Sequence, residues 1–151
     1  MNTVTKEYII KQVALLLNRF DSHDPEQIAN ELGISIKRAD IGSLQGMYTV
    51  LLGKPFIIVS QSLDQMQSKQ IIAHELGHHQ LHPHFTGENV LQETMLYDMT
   101  SQPEYEANLF AAHLLINHQA DEMAQNGATF AEIAAEIGVE QALIEIYFEH
   151  R

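Results

Sequence analysis

An α+β fold, compact and mostly helical with a small sheet beside a histidine-bearing helix, is predicted by three features of this 151-residue chain. Apolar residues recur at helical spacing over most of its length, two short apolar segments flank a glycine turn, and His74 and His78 lie four residues apart on one long periodic segment. Residues 5–20 carry Ile9, Ile10, Val13, Leu16, Leu17 and Phe20 on one stripe, which predicts an amphipathic first helix. Residues 25–32 follow as a short helix, with Asp24 as N-cap, Pro25 at the first position and Gly33 just past the end. Segments 47–52 and 55–60 are rich in Val, Ile, Leu and aromatics, and Gly53-Lys54 between them suits a two-residue hairpin turn.

Ser62-Leu63-Asp64-Gln65 fits a capping box with Ser62 as N-cap, so the histidine helix is expected to start there. It stops near His82, because Pro83 disfavours helical geometry in the residue before it. Gly77 inside this helix costs roughly 1 kcal/mol relative to alanine, which implies a close approach by a backbone or ligand. Residues 85–100 show no period and read as a loop over the site. A second long helix begins at Ser101, where Ser101 and Glu104 match a capping box and Pro103 falls in the first turn, and reaches about Asn117. Thr129 and Glu132 cap a further helix that ends before Gly138, and residues 139–148 supply the last. Segments 28–35 and 133–140 echo each other in the helix, glycine, helix pattern of a helix-turn-helix. The expected organisation is one domain over 1–151: an N-terminal helix (1–24), a core (25–118) and a C-terminal helical pair (119–151).

Composition narrows the chemistry. An apolar share of 45% is ordinary for a globular domain, and the absence of cysteine excludes both disulfides and thiolate metal sites. The N-terminal residues lack a basic start followed by an apolar stretch, and no apolar run approaches the ~20 residues of a membrane span, so a cytoplasmic protein without membrane attachment is expected. Net charge is −12, and no Lys or Arg lies between Lys69 and Arg151. Such a surface repels phosphate backbones, and direct nucleic-acid binding is not expected.

His74-Glu75-Leu76-Gly77-His78 carries the candidate chemistry. On a helix, residues i and i+4 share a face, so both imidazoles reach one metal ion, while Glu75 reaches a metal-bound water as general base. Catalytic zinc usually takes three protein ligands, so a third is required. His84 lies ten residues after His74, but Leu81 stands where a turning glycine would swing the chain back onto the metal. The segment from Glu104 to Ala112 offers two carboxylates. Glu104 has a capping role, whereas Glu106 lies on a stripe with Phe110 and His113, beside alanines that let helices approach closely, so Glu106 is the preferred third ligand.

These motifs, Ala73-His74-Glu75-Leu76-Gly77-His78 and Glu106-Ala107-Asn108-Leu109-Phe110-Ala111, resemble the marks of the ImmA/IrrE-type metallopeptidases. The similarity extends through Gly46-Met47-Tyr48, Pro55 to Val59, Leu81-His82 and Leu114-Leu115, over residues 25–148, although Ile116-Asn117 replaces the family's frequent Met-Pro. The resemblance implies a zincin-like fold, one Zn²⁺ per chain with Glu106 as third ligand, and peptide hydrolysis with Glu75 as base. It further implies a protein substrate, a helix-turn-helix repressor of a phage or mobile element. The rival from another class is a non-catalytic module whose helix-turn-helix-like pieces hold a partner or DNA around a structural zinc. Segment 56–59 is a candidate strand for β-addition of substrate, with a buried core strand as the at least equally supported alternative. Tyr48, Tyr97, Tyr105, His82 and His113 are open candidates for oxyanion stabilisation, while His79 and His82 are expected to support or surround the site without ligating.

Overall fold

The computed structural model describes residues 5–82, 92–94 and 101–149. Helix α1 (Lys6–Phe20) begins where the Thr5 side chain accepts the Tyr8 N–H, and buries Ile9, Val13 and Leu16 of the predicted stripe. Helix α2 (Pro25–Glu31) starts at Asp24, with proline in its first turn as expected. Beyond Gly33, which takes a positive φ of 83°, the chain enters strand β1 (Ser35–Ala39) instead of a second helix. The first helix-turn-helix echo is therefore a helix followed by a strand. Its Arg38 pairs with Glu26 on α2 at 2.8 Å.

Strands β2 (Gly46–Leu51) and β3 (Lys54–Ser60) form the expected hairpin, with its turn one residue earlier than the expected Gly53-Lys54 because Lys54 pairs with Leu51. Leu52 and Gly53 occupy its tip with φ of 51° and 78°, the sign pattern of a type I′ turn. Sheet order is β1-β3-β2-β4, with β1 parallel to β3 and β4 (Gln92–Thr94) antiparallel to β2. Because β3 is paired on both edges, the expectation that segment 56–59 receives a substrate strand is corrected: its ladder groups already face β1 and β2. Directly paired antiparallel residues share a face, so Gly46, Tyr48 and Val50 line up with Val59, Ile57 and Pro55. Tyr48, Ile57 and Val59 are fully buried on that face.

Helix α3 (Gln65–Leu81) carries the histidines and packs on β2 and β3, on α2, and on α4 (Gln102–Leu115). Its N-cap is Asp64, which makes a full capping box with Gln67, two residues later than the Ser62 start expected from sequence. The Ser62 hydroxyl bonds Ser60 instead, at 2.8 Å. Residues Gln70 to His78 are buried without interruption, since sheet and helices enclose α3. In turn α4 packs against α1 and α7. The C-terminal part comprises α5 (Gln119–Gln125), a short polar helix that the sequence pattern does not announce, then α6 (Phe130–Ile137) and α7 (Gln141–Glu149). Gly138 ends α6 with φ 86°, so the second helix-turn-helix echo is a true helix pair. Buried residues from α1 through α7 join one hydrophobic cluster.

The close approach expected at Gly77 is present: a Cβ there would lie 3.1 Å from the Phe110 Cβ and 3.2 Å from both the Cα and the carbonyl oxygen of Ala107. Gly77→Ala should therefore destabilise the chain by about 1–3 kcal/mol, even though alanine favours the helix by ~1 kcal/mol. Urea denaturation measures this, and an unchanged or raised midpoint would show that α3 and α4 can separate freely. At the hairpin tip, Leu52 is 90% exposed in a left-handed conformation that costs a branched residue about 1–2 kcal/mol. Leu52→Asn should raise stability by about 1 kcal/mol in the same assay, since asparagine adopts this conformation readily.

Candidate metal centre

One helical turn separates His74 from His78, and their rings sit edge to face with centroids 4.8 Å apart. Both are fully buried. From the first turn of α4, Glu104 reaches across: its Oε2 lies 2.8 Å from His74 Nε2, and its Oε1 lies 3.2 Å from His78 Nε2. One donor atom from each of these three residues falls within 4.8 Å of the other two. Donors at 2.0–2.1 Å from a tetrahedral ion stand ~3.3 Å apart, so His78 and Glu104 are already at that spacing and His74 needs to open by about 0.5 Å. Two imidazole nitrogens and a carboxylate, enclosed and pre-gathered, fit a divalent metal such as zinc.

Glu106 is not the carboxylate that meets the pair, which corrects the sequence expectation. Its Oε1 accepts a hydrogen bond from His82 Nε2 at 2.7 Å, and its Oε2 accepts one from Gln102 Nε2 at 3.0 Å. The expectation failed because it reserved Glu104 for capping. Ser101 caps α4 through the backbone N–H of Glu104, at 3.3 Å, which leaves the carboxylate for the histidines. Two residues on, about 200° around the helix, Glu106 meets the C-terminal end of α3 instead. His84, the other candidate, lies outside the described residues, as do Tyr97 and most of the segment read as a covering loop; within that segment, 92–94 forms β4.

Each metal-facing imidazole is held from behind. Asn108, one turn after Glu104, places Oδ1 2.8 Å from His74 Nδ1, so a proton on Nδ1 leaves the Nε2 lone pair toward Glu104. His78 Nδ1 lies 2.9 Å from His82 Nδ1. The spacing Glu104-x-x-x-Asn108, matched to His74-x-x-x-His78, is the signal in the sequence that would have found both Glu104 and Asn108. Burial holds the His78 imidazolium down, to about 4, against the pull of Glu104, so the imidazole is neutral as a ligand must be. For Glu104, burial works upward, but the bonds from His74 and His78 outweigh it and keep the carboxylate ionised.

His79 and His82 both support the surroundings, as expected. Tyr48 and His79 meet at 2.6 Å between the phenol oxygen and Nδ1. Burial, then the charge of Glu75, pushes Tyr48 up to about 12. Among the oxyanion candidates, His82 is committed to His78 and Glu106, and His113 meets the Tyr147 ring at a tilt of 41° about two and a half turns along α4 from Glu104.

Glu75 is fully buried, and neither carboxylate oxygen has a hydrogen-bond partner among the described residues. It faces the sheet at Gly46, where a Cβ would collide with the Ile71 γ-methyl and sit 3.6 Å from Glu75 Oε2. Burial first, and then the charge of Glu104, raise its pKa well above the ordinary carboxylate value.

Among known protein families, Peptidase_M78, described as the IrrE N-terminal-like domain, matches residues 14–146, and the chain belongs to this metallopeptidase family. It is also similar to "Uncharacterized immunity region protein 2" of Bacillus phage phi105, at 28% identity over 105 residues. That match covers 69% of this chain and 65% of the phage protein.

A carboxyl whose folded pKa is raised contributes its stability below the unfolded value of about 4.5 and loses it as pH rises through the folded value. In chelator, Glu75→Gln should therefore be more stable than the parent chain near pH 8, with the difference shrinking toward pH 4.5. Denaturation midpoints across that range read it, and a parent chain stabilised by rising pH relative to the variant would contradict the placement of Glu75.

Proposed function

We propose that this protein is a zinc-dependent endopeptidase of the cytoplasm that cleaves a helix-turn-helix repressor of a phage or mobile element. One observation carries the reading: His74, His78 and Glu104 are gathered on one side of α3 while Glu75, the neighbour of His74, keeps a buried carboxylate with no partner among the described residues. A structural zinc site is closed by four protein ligands and has no use for such a group, whereas a hydrolytic site requires three ligands and a base. The regulatory setting rests on the resemblance of the motifs and on the relative whose name places it in a phage immunity region.

A zinc ion bound by His74, His78 and Glu104 supplies Lewis acidity toward a water and the scissile carbonyl. The remaining work belongs to the chain. Glu75 takes a proton from the attacking water and delivers it to the departing amine, and its raised pKa suits both halves of that task. Asn108 holds the His74 ring in place through the sequence. No helix among the described residues is long and apolar enough to cross a membrane.

The purified chain should hold about one zinc, and Glu104→Ala should lose it by orders of magnitude in affinity. Elemental analysis after dialysis and chelator competition measure both. Glu75→Gln should keep fold and zinc yet lose at least ~10²-fold in cleavage of a repressor from the same genetic neighbourhood. Incubating that repressor with the parent chain, the variant and the parent in chelator is the test. Equal cleavage by parent and variant would remove Glu75 from the mechanism, and metal retention by a His74→Ala, His78→Ala double variant would place the metal elsewhere.

A further inference from the structure

One edge of the sheet is open among the described residues. In the order β1-β3-β2-β4, strand β1 has β3 on one side and no described strand on the other. The carbonyl of Ala39 accepts the Gln61 N–H at 2.9 Å, just past the end of β3. Successive residues of a strand turn their N–H and C=O groups to alternate sides, so Ser35, Lys37 and Ala39 serve the ladder with β3. Ile36 and Arg38 therefore turn both groups to the open edge. This edge stands apart from the metal centre: α3 packs on β2, β3 and β4, whereas α2 lies against β1.

The charge at this edge is opposite to that of the chain. Net charge is −12, and Lys37-Arg38 is the sole place in the sequence where two basic residues adjoin. As neighbours on a strand they project to opposite faces of the sheet. Arg38 is taken by Glu26 at 2.8 Å, whereas Lys37 is exposed and has no ion-pair partner among the described residues. A strand added through Ile36 and Arg38 sets one of its own residues about 5 Å from Lys37, where an acid is attracted and a base repelled. A second copy of β1 in the symmetric antiparallel register would oppose Lys37 with Lys37, so the cation that discourages self-pairing also selects an acidic strand. Asp40 follows directly after β1 and confines the attraction to the Lys37 position. Repulsion from the acidic remainder of the surface is screened beyond ~8 Å at physiological salt.

We propose that the open edge of β1 docks an extended acidic segment of a partner protein by β-addition. Ile36 and Arg38 supply the main-chain bonds, and Lys37 selects an acidic residue opposite itself. The site uses no metal and goes beyond the peptidase reading without resting on it: a partner held there is anchored away from His74, His78 and Glu104.

The probe is a capped pentapeptide of threonine and valine with glutamate at its centre, compared with its lysine-centred counterpart. Each is titrated into the full ¹⁵N-labelled chain in chelator, so that cleavage does not intervene. In the free chain the amides of Ile36 and Arg38 should exchange with solvent quickly and those of Lys37 and Ala39 slowly. The glutamate peptide should give saturable shifts in β1, slow the exchange of Ile36 and Arg38, and bind more tightly than the lysine peptide. Lys37→Glu should reverse that preference, changing the ratio of the two affinities by roughly 10-fold. Ile36→Pro removes an outward N–H and no ladder bond, a substitution an edge strand accepts, so both peptides should weaken by about 10-fold or more while Lys37 and Ala39 stay protected. Circular dichroism confirms that each variant is folded, and if Ile36→Pro is not, Lys37→Glu decides.

No change at Ile36 and Arg38 up to the solubility limit of the glutamate peptide overturns the proposal, as does equal affinity for the two peptides or a response centred on β4 and α3. Self-association of the free chain that protects the same two amides also overturns it, since a second copy then occupies the edge.

Discussion

The contact between Gly77 and Ala107 is the constraint on which the rest of the structure depends. With no Cβ on one helix and only a methyl on the other, α3 and α4 approach until the Gly77 position lies against the Ala107 backbone. Side chains on either side of that contact are then close enough to meet across it: Glu104 reaches both histidines, Asn108 reaches His74, and Glu106 reaches His82. A larger residue at 77 would push α4 outward and lengthen every one of these separations together. Helix α4 is itself braced from behind by α1 and α7, so the distance is set by packing on both of its sides. A glycine that weakens the helix locally thus supports the site globally.

A second consequence concerns the polar residues of α3. Gln70, His74, His78 and His82 recur every four residues and form a buried polar stripe along one helix. The histidines are answered from α4 and Gln70 from the C-terminal part of the chain. Gln70 Oε1 accepts the backbone N–H of Glu140 at 2.7 Å, in the turn between α6 and α7, while His74 meets Asn108 and His82 meets Glu106. Buried polar groups that find partners specify one arrangement, because any slip leaves several of them unsatisfied at ~1–3 kcal/mol each. The C-terminal helix pair and the metal centre are in this way registered on the same helix.

Much of this is legible in the sequence because the signals are local. Asp24, Ser101 and Thr129 cap the helices that their positions imply, and Gly77 marks the close approach because a glycine inside a helix is otherwise a cost without a return. The histidine pair and Glu75 lie on the helix that their spacing implies. What the sequence hides depends on tertiary pairing. Strand β1 has only Ile36 and Ala39 as apolar residues and is mostly exposed, so its strand character comes from the edge of β3 and not from its own composition. Strand β4 is three residues long and exists through pairing with β2. Two capping boxes overlap at the start of α3, and a local rule has no means to prefer Asp64 over Ser62. Choosing between Glu104 and Glu106 requires knowing that a cap can be made by backbone alone while the side chain of the same residue does something else.

Glu75 remains as the residue that folding does not explain. It sits among Ile71, Ile72 and Leu76, all buried, beneath a sheet whose facing residues are Tyr48, Ile57 and Val59. A leucine or methionine of similar volume there would satisfy the packing without the penalty of burying a carboxyl that lacks a partner among the described residues. The glycine at 46 keeps a side chain from filling the space beside its oxygen. Neighbouring Glu104 is also buried and acidic, yet it is answered by two imidazoles, so the difference between the two carboxyls is one of partners and not of depth. The two carboxyls are driven in opposite directions: the bonds from His74 and His78 hold Glu104 ionised, while desolvation raises the pKa of Glu75. The destabilising feature of the core is thus an acid placed directly beside the three residues that could hold a metal.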